Sequence, residues 1–199
     1  MARLLLSKAT LSKQRQQLQS YQRFLPSLDM KRQQLRLALK NTEKTGQALQ
    51  HQLDQLKQVT ADELPMIANE RVNLQQLLSI ESINVNEINV AGCRIPEFQS
   101  LQLALAPLPP LAKPHWVAPV QNRLAQALEI EVKLTINAQQ QALLSKALTK
   151  ITQRVNLFDK VLIPQTQANI KRIQIYLGDR AREAVVTSKI AKRRRQSDV

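Results

Sequence analysis

Arg154 and Asn156 are the residues of this chain whose types and setting most invite a chemical role. They flank Val155 within a long, apolar-periodic and basic stretch, TQRVNLFDKVLIPQTQANIKRIQIYLGDRAR, residues 152–182. A guanidinium and a carboxamide beside an apolar helix seam can fix the register of a helix pair or contact a partner. Arg182 and a basic run, Lys189, Lys192, Arg193, Arg194 and Arg195, follow. All of this is non-covalent chemistry. Bond-making chemistry has no foothold: there is no Walker lysine motif, no Gly-rich loop, no HExxH and no credible triad, so no catalytic or cofactor-binding residue is assigned. His51, His115 and the single Cys93 form no ligand motif, so neither a metal site nor an intrachain disulfide is expected.

Composition says what must position those residues. The chain has 199 residues, 3 Gly, 3% aromatic residues and a formal charge of +14. Globular domains average about 7% Gly. Scarce Gly and aromatics, with abundant Leu, Gln, Ala, Lys and Arg, predict long helices with few turns. MARLLLSKAT is too short in its apolar run for a signal peptide. No run of roughly 18 uncharged apolar residues exists, so no membrane insertion is expected.

Heptad spacing begins at Leu4 and continues through Ser7, Leu11, Gln14, Leu18, Tyr21, Leu25, Leu28, Arg32, Leu35, Leu39, Thr42, Gly46, Leu49, Leu53 and Leu56. Such a narrow apolar row between Lys, Arg and Gln is a coiled-coil seam, about 80 Å long at 1.5 Å per residue. Arg32, on this seam, reads first as a snorkelling or paired side chain. Pro26 predicts a kink, and Thr60 with Glu63 fits a capping box that would restart the helix, with Pro65 early in it and the seam resuming at Ile67, Leu74 and Leu77. Residues 1–78 are thus expected to be an N-terminal coiled-coil helix, kinked or broken near 26 and 60–65.

Residues 79–119 differ. ESINVNEINVAGCRIPEF is rich in β-branched residues and alternates at Ile83/Val85 and Ile88/Val90; Ala91-Gly92 offers a turn, so a β-hairpin is expected. PLPPLAKPHWVAP, residues 107–119, should follow as an extended connector anchored by Trp116. From Val120 to residue 199 the chain reads as a C-terminal coiled-coil helix with a basic tail. Its seam runs through Leu144, Leu148, Ile151, Val155, Phe158, Leu162, Thr166, Ile170, Ile173, Leu177, Ala181 and Ala184. Two successive steps of four around Pro164 make a stutter, which relaxes a left-handed supercoil. Two such seams find each other most economically as an antiparallel intramolecular pair. The expected fold is mainly α: an antiparallel two-helix coiled coil with a small central hairpin.

The C-terminal block resembles the signature of the D subunit of the V-type and A-type rotary ATPases and ATP synthases. The matching residues are Arg154, Val155, Asn156, Ile163, Pro164, Ile170, Ile173, Leu177, Arg182 and Lys192. Leu28, Lys31, Arg32 and Leu35 resemble the family's N-terminal segment, and INVAGCRIPEF, with Gly92, Ile95 and Pro96, its central hairpin. Phe24 stands where the family usually has Gly, Ser27-Leu28-Asp29 where it has Leu-Leu-Lys, and Pro26 is unusual there.

The resemblance implies a non-catalytic central rotor axle without cofactors, on the cytoplasmic face of the membrane as part of a membrane-bound complex. Its implied partners are the catalytic A and B subunits, the F subunit and the funnel-shaped subunit capping the membrane ring. Arg154, Asn156, Pro164 and Arg182 are then candidate register or partner-contact residues. The basic tail is either a solvated helix end favoured by the helix dipole or a contact for acidic side chains lining the catalytic pore. The alternative function is a basic coiled-coil adaptor or nucleic-acid-binding protein, which would grip phosphates without base readout. The chain has no aromatic interleaving or groove-binding unit, so direct nucleic-acid contact is not expected.

Overall fold

The computed structural model describes residues 5–65, 77–106 and 116–197, without the side chains of residues 195 and 197. The fold is mainly helical, with N- and C-terminal helices and a two-stranded antiparallel hairpin between them in sequence. The elements are α1 (Lys8–Glu63), β1 (Leu78–Val90), β2 (Cys93–Leu105), α2 (Val117–Leu157), a π-helical turn (Phe158–Leu162) and α3 (Ile163–Ser197). Two compact units result: one holds the chain up to Arg32 with that from Lys150 onward, the other Gln33–Thr149.

In the first unit, Ser7 caps α1, its Oγ accepting from the Thr10 amide at 3.2 Å. The helix continues through Pro26, and the Ser27 hydroxyl donates to the Phe24 carbonyl at 2.8 Å. The seam positions from Ser7 to Arg32 are all at least partly withdrawn from water, as are those from Ile151 to Leu177 on the facing helix. Val155, Thr166 and Ile173 are buried outright. Ala181 and Ala184, expected to extend the seam, are exposed instead. The pairing of Tyr21 with Phe158 explains why. In an antiparallel pair, going back from Tyr21 to Lys8 corresponds to going forward from Phe158 to about Lys171, so α1 has its first turn there. Beyond Leu177 no helical partner faces α3 among the described residues.

In the second unit, α1 and α2 pack antiparallel. Thr42 faces Asn137 and Gln141, and Glu63 faces Arg123, whose Nη2 lies 2.7 Å from Glu63 Oε2. Leu35, Leu53, Ile136 and Leu144 are buried. The capping box expected at Thr60 and Glu63 does not form. Both residues lie in the last turn of α1, where Thr60 Oγ1 donates back to the Leu56 carbonyl at 2.6 Å and Glu63 pairs with Arg123. α1 ends at Glu63, two residues before Pro65, and a proline disfavours helical geometry at the residue preceding it, here Leu64. The expected seam resumption at Ile67 and Leu74, and most of the Pro-rich stretch with His115, fall outside the described residues.

The hairpin strands are 13 residues each, longer than the alternating segments suggested. They pair from Leu78↔Leu105 to Val90↔Cys93, with an extra residue at Glu81 on β1 and at Gln99 on β2. Ala91 and Gly92 have φ of 52° and 88°. Positive φ at both positions suits a two-residue type I′ hairpin turn. Asn89 Oδ1 supports the turn by accepting from the Gly92 amide at 2.9 Å. The hairpin lies along α2: the Gln140 side chain donates to the Pro96 carbonyl, and Lys133 Nζ sits 5.0 Å from the centre of the Phe98 ring. At its base, buried Gln121 donates to the carbonyls of Leu77 and Ala106, at 2.8 and 3.1 Å. Leu77, Trp116, Val117 and Val120 form a core cluster there, with Leu64 against it. Trp116 thus anchors the start of α2, which opens at Val117 rather than Val120 and carries Pro119 in its first turn, where a missing amide costs nothing.

Candidate functional site

The residues singled out from sequence all lie on the C-terminal helices. Val155 is buried, while Arg154 and Asn156 on either side of it are exposed. They therefore face away from the seam, at a distance from the helix–helix contact they flank in sequence. Pro164 is also exposed. Arg182 is exposed and lies 3.6 Å from Asp179, a surface pair worth little in water. Lys189, Lys192, Arg193 and Arg194 are exposed on α3, and Arg195 lies on the same helix, its side chain outside the description. Of these groups, Lys189 and Lys192 line one open surface pocket, together with Ala184, Val185 and Ser188.

What surrounds Pro164 has a clear cause. A proline ring offers no amide to the carbonyl four residues back, here that of Lys160, and crowds it. The helix answers with the wider π turn Phe158–Leu162, in which the Ile163 amide reaches five residues back to the Phe158 carbonyl. A π turn takes up more residues per revolution than an α turn. It absorbs the extra residue of the stutter, so Phe158, Leu162, Thr166 and Ile170 all remain on the covered side. Thr166 settles its hydroxyl on the Leu162 carbonyl at 2.6 Å, which lets a polar residue occupy a buried seam position. Stutter, proline and π turn are one local solution.

Beyond Leu177 the helix carries a basic, uncovered surface. Arg180 Nε donates to the Tyr176 hydroxyl at 3.2 Å with its guanidinium 5.8 Å from the ring centre. That hydrogen bond, with Tyr176 and Glu183 charge adding to it, raises the Arg180 pKa above its ordinary value. Val185, Val186 and Ile190 are exposed among these cations. The segment can take acidic or mixed acidic–apolar surfaces; it has no groups placed for bond-making.

Two polar features went unread in the sequence. One is the Gln121 clamp on the hairpin base. The other is a polar layer in the second unit: Asn137, 6% exposed, donates through Nδ2 to the Thr42 carbonyl at 3.1 Å. Gln141 Nε2 donates to Asn137 Oδ1 at 2.8 Å. Gly46 lies directly beneath, and a Cβ there would come within 2.7 Å of Asn137 Oδ1. The available signal was Gly46 itself, at a seam position in a helix where Gly is costly. Among the described residues no three His, Cys, Asp or Glu side chains group as metal ligands, and no helix is long and apolar enough to cross a membrane.

With this geometry, comparison with known proteins is informative. Residues 10–193 match the family described as the D subunit of ATP synthase. A V-type ATP synthase D subunit from Borreliella burgdorferi is 34% identical over 192 residues, covering 96% of this chain and 95% of that one. One from Chlamydia pneumoniae is 26% identical over 191 residues, 95% and 91% of the two chains. A third, from Chlamydia caviae, is 32% identical over 117 residues, 59% and 56% of the two. A match that runs through α1, the hairpin and both C-terminal helices places this chain in the ATP synthase D-subunit family.

Proposed function

We propose that this chain is the non-catalytic central rotor shaft of a V/A-type rotary ATPase or ATP synthase. It transmits torque between the catalytic A/B hexamer and the membrane ion-translocating ring. The reading rests on one observation above all: the match to the ATP synthase D-subunit family includes both seam-bearing helices and the hairpin, residues 10–193. A shaft has to resist bending and twisting. Two helices closed along an apolar seam do so better than one, and each buried Leu contributes about 1.5–3 kcal/mol to keeping them closed. A single axle inside a ring of three catalytic sites must also be asymmetric, and the π turn at Pro164 is a local departure from regular winding that supports this.

In this reading the paired helices enter the hexamer, and the basic surface beyond Leu177 meets acidic side chains there. The F subunit and the funnel-shaped subunit capping the ring are further partners. The chain works at the cytoplasmic face without entering the bilayer, and ATP is turned over by its neighbours alone. Affinity purification of the tagged chain from its native membranes tests the proposal. Stoichiometric catalytic A and B subunits and a small F subunit are expected. Nucleic acid, or unrelated coiled-coil proteins without an ATPase, would overturn it in favour of a basic adaptor or nucleic-acid binder.

A further inference from the structure

The polar layer at Gly46 joins two helices, unlike buried Thr166, whose hydroxyl bonds back to the Leu162 carbonyl of its own helix. A helix pair closed by Leu repeats is nearly indifferent to sliding by one heptad, because each Leu finds an equivalent neighbour seven residues on. A bulky buried side chain set against a glycine changes that: it fits at one alignment and is overpacked at its neighbours. Asn137 is buried and satisfied here. Its Nδ2 donates to the Thr42 carbonyl, and its Oδ1 accepts from Gln141 Nε2. Gln141 Nε2 also lies 3.4 Å from the Thr42 carbonyl, so two carboxamides converge on one backbone oxygen.

The second half of the device is steric. Asn137 Oδ1 occupies the space where any other residue at position 46 would carry its Cβ, at 2.7 Å, and Gln141 Nε2 would be 3.1 Å away. One heptad from Gly46 along α1 stand Leu39 and Leu53, and Leu53 is buried. Sliding by seven residues in either direction would press the Asn137 carboxamide, with the Gln141 side chain that moves with it on α2, against a leucine. Gly46, the only glycine in α1, is thereby explained as the notch that receives Asn137. We propose that Asn137 seated over Gly46 is the register key of the α1–α2 pair, admitting one axial alignment of the two helices and excluding its heptad-shifted neighbours. The inference concerns this chain alone and holds or fails independently of the rotor reading.

The test is a distance measurement on the full chain with Cys93→Ser and spin labels on cysteines introduced at Lys44 and Lys146, both exposed. The parent should give one narrow distance distribution. Asn137→Leu, which removes the key and supplies an apolar side chain, should keep the helix content while broadening the distribution or adding a second maximum. One heptad of sliding changes the axial offset by about 10 Å at 1.5 Å per residue. Gly46→Ala, which blocks the notch with the key still present, should also displace the parental maximum. A narrow parental distance in both variants would overturn the proposal. So would loss of helix content in both, since the layer would then be a requirement for folding rather than a selector of alignment.

Discussion

Tyr21 meets Phe158 edge to face, ring centroids 5.3 Å apart at 83°, at the residue where the C-terminal helix passes from α to π winding. The contact pins the most irregular turn of one helix to a regular stretch of the other. Phe158→Leu keeps apolar volume but removes the aromatic pairing, which is worth about 0.5–1.5 kcal/mol. Phe158→Ala removes packing as well and should cost about 2–3 kcal/mol, below the usual core value because the ring is half-buried. Urea unfolding of the two variants beside the parent checks both, and equal losses would assign the whole effect to volume.

Replacing Pro164 tests whether the irregularity serves function at the expense of stability. Pro164→Ala restores an amide for the Lys160 carbonyl and should raise unfolding stability by about 1–3 kcal/mol. On the proposed rotor reading, the same change should lower ion transport per ATP hydrolysed in the assembled complex. A variant that is more stable and fully coupled would separate the proline from torque transmission.

Gln121 holds two backbone carbonyls at the hairpin base, those of Leu77 and Ala106. Gln121→Leu leaves the Ala106 carbonyl without its Gln121 donor and the Leu77 carbonyl with the Ala106 amide alone, and should cost about 1–3 kcal/mol. Hydrogen exchange gives the local readout: the Ala106 amide, bonded to the Leu77 carbonyl at 3.1 Å, should lose protection before the amides near the Ala91-Gly92 turn.

Ala91 holds a left-handed φ of 52° that disfavours a Cβ-bearing residue. Asparagine tolerates that region far better, so Ala91→Asn should stabilise the hairpin by about 1 kcal/mol. Gly92→Ala should destabilise it by about as much. Thermal melts of the two variants should move in opposite directions.

The basic surface beyond Leu177 offers an ionic test. If the proposed contact with the catalytic hexamer holds, Lys189, Lys192 and Arg193 changed together to Ala should weaken that association at low salt, and the difference from the parent should close as salt shortens the Debye length below about 8 Å. Binding titrations over a salt series measure it. A salt-independent difference would point to helix loss instead of charge.

The seams were legible because each heptad residue reports burial by its type, and the described positions from Ser7 to Leu56 are all shielded as their spacing implies. The hairpin was legible from β-branched alternation and Ala91-Gly92. Its length was not, because QSLQLAL after Phe98 reads equally as helix or strand until Gln99 bulges out of register. Thr60 and Glu63 misled because a capping motif and the last turn of a helix can share the same residues; what decides is the following Pro65 together with Arg123, which is distant in sequence. Arg154 and Asn156 drew notice by standing next to a seam valine. A helix turns by about 100° per residue, so neighbours of a buried position face outward. Asn137 and Gln141 were silent, since carboxamides are common throughout this chain and only Gly46 opposite gives them meaning.

The uncovered end of α3 has a thermodynamic consequence. This end extends the packed part of α3, so it needs no new nucleus, but propagation alone adds little per residue where none of the described helices packs against it. Residues 178–194 therefore add little to the cooperative melting of the paired helices, and in the free chain their amides should exchange early, in a gradual low-temperature transition preceding the main one. Whatever surface receives this segment must then supply the ordering free energy that the leucine seam supplies elsewhere, so its affinity will report folding and docking together rather than contact alone.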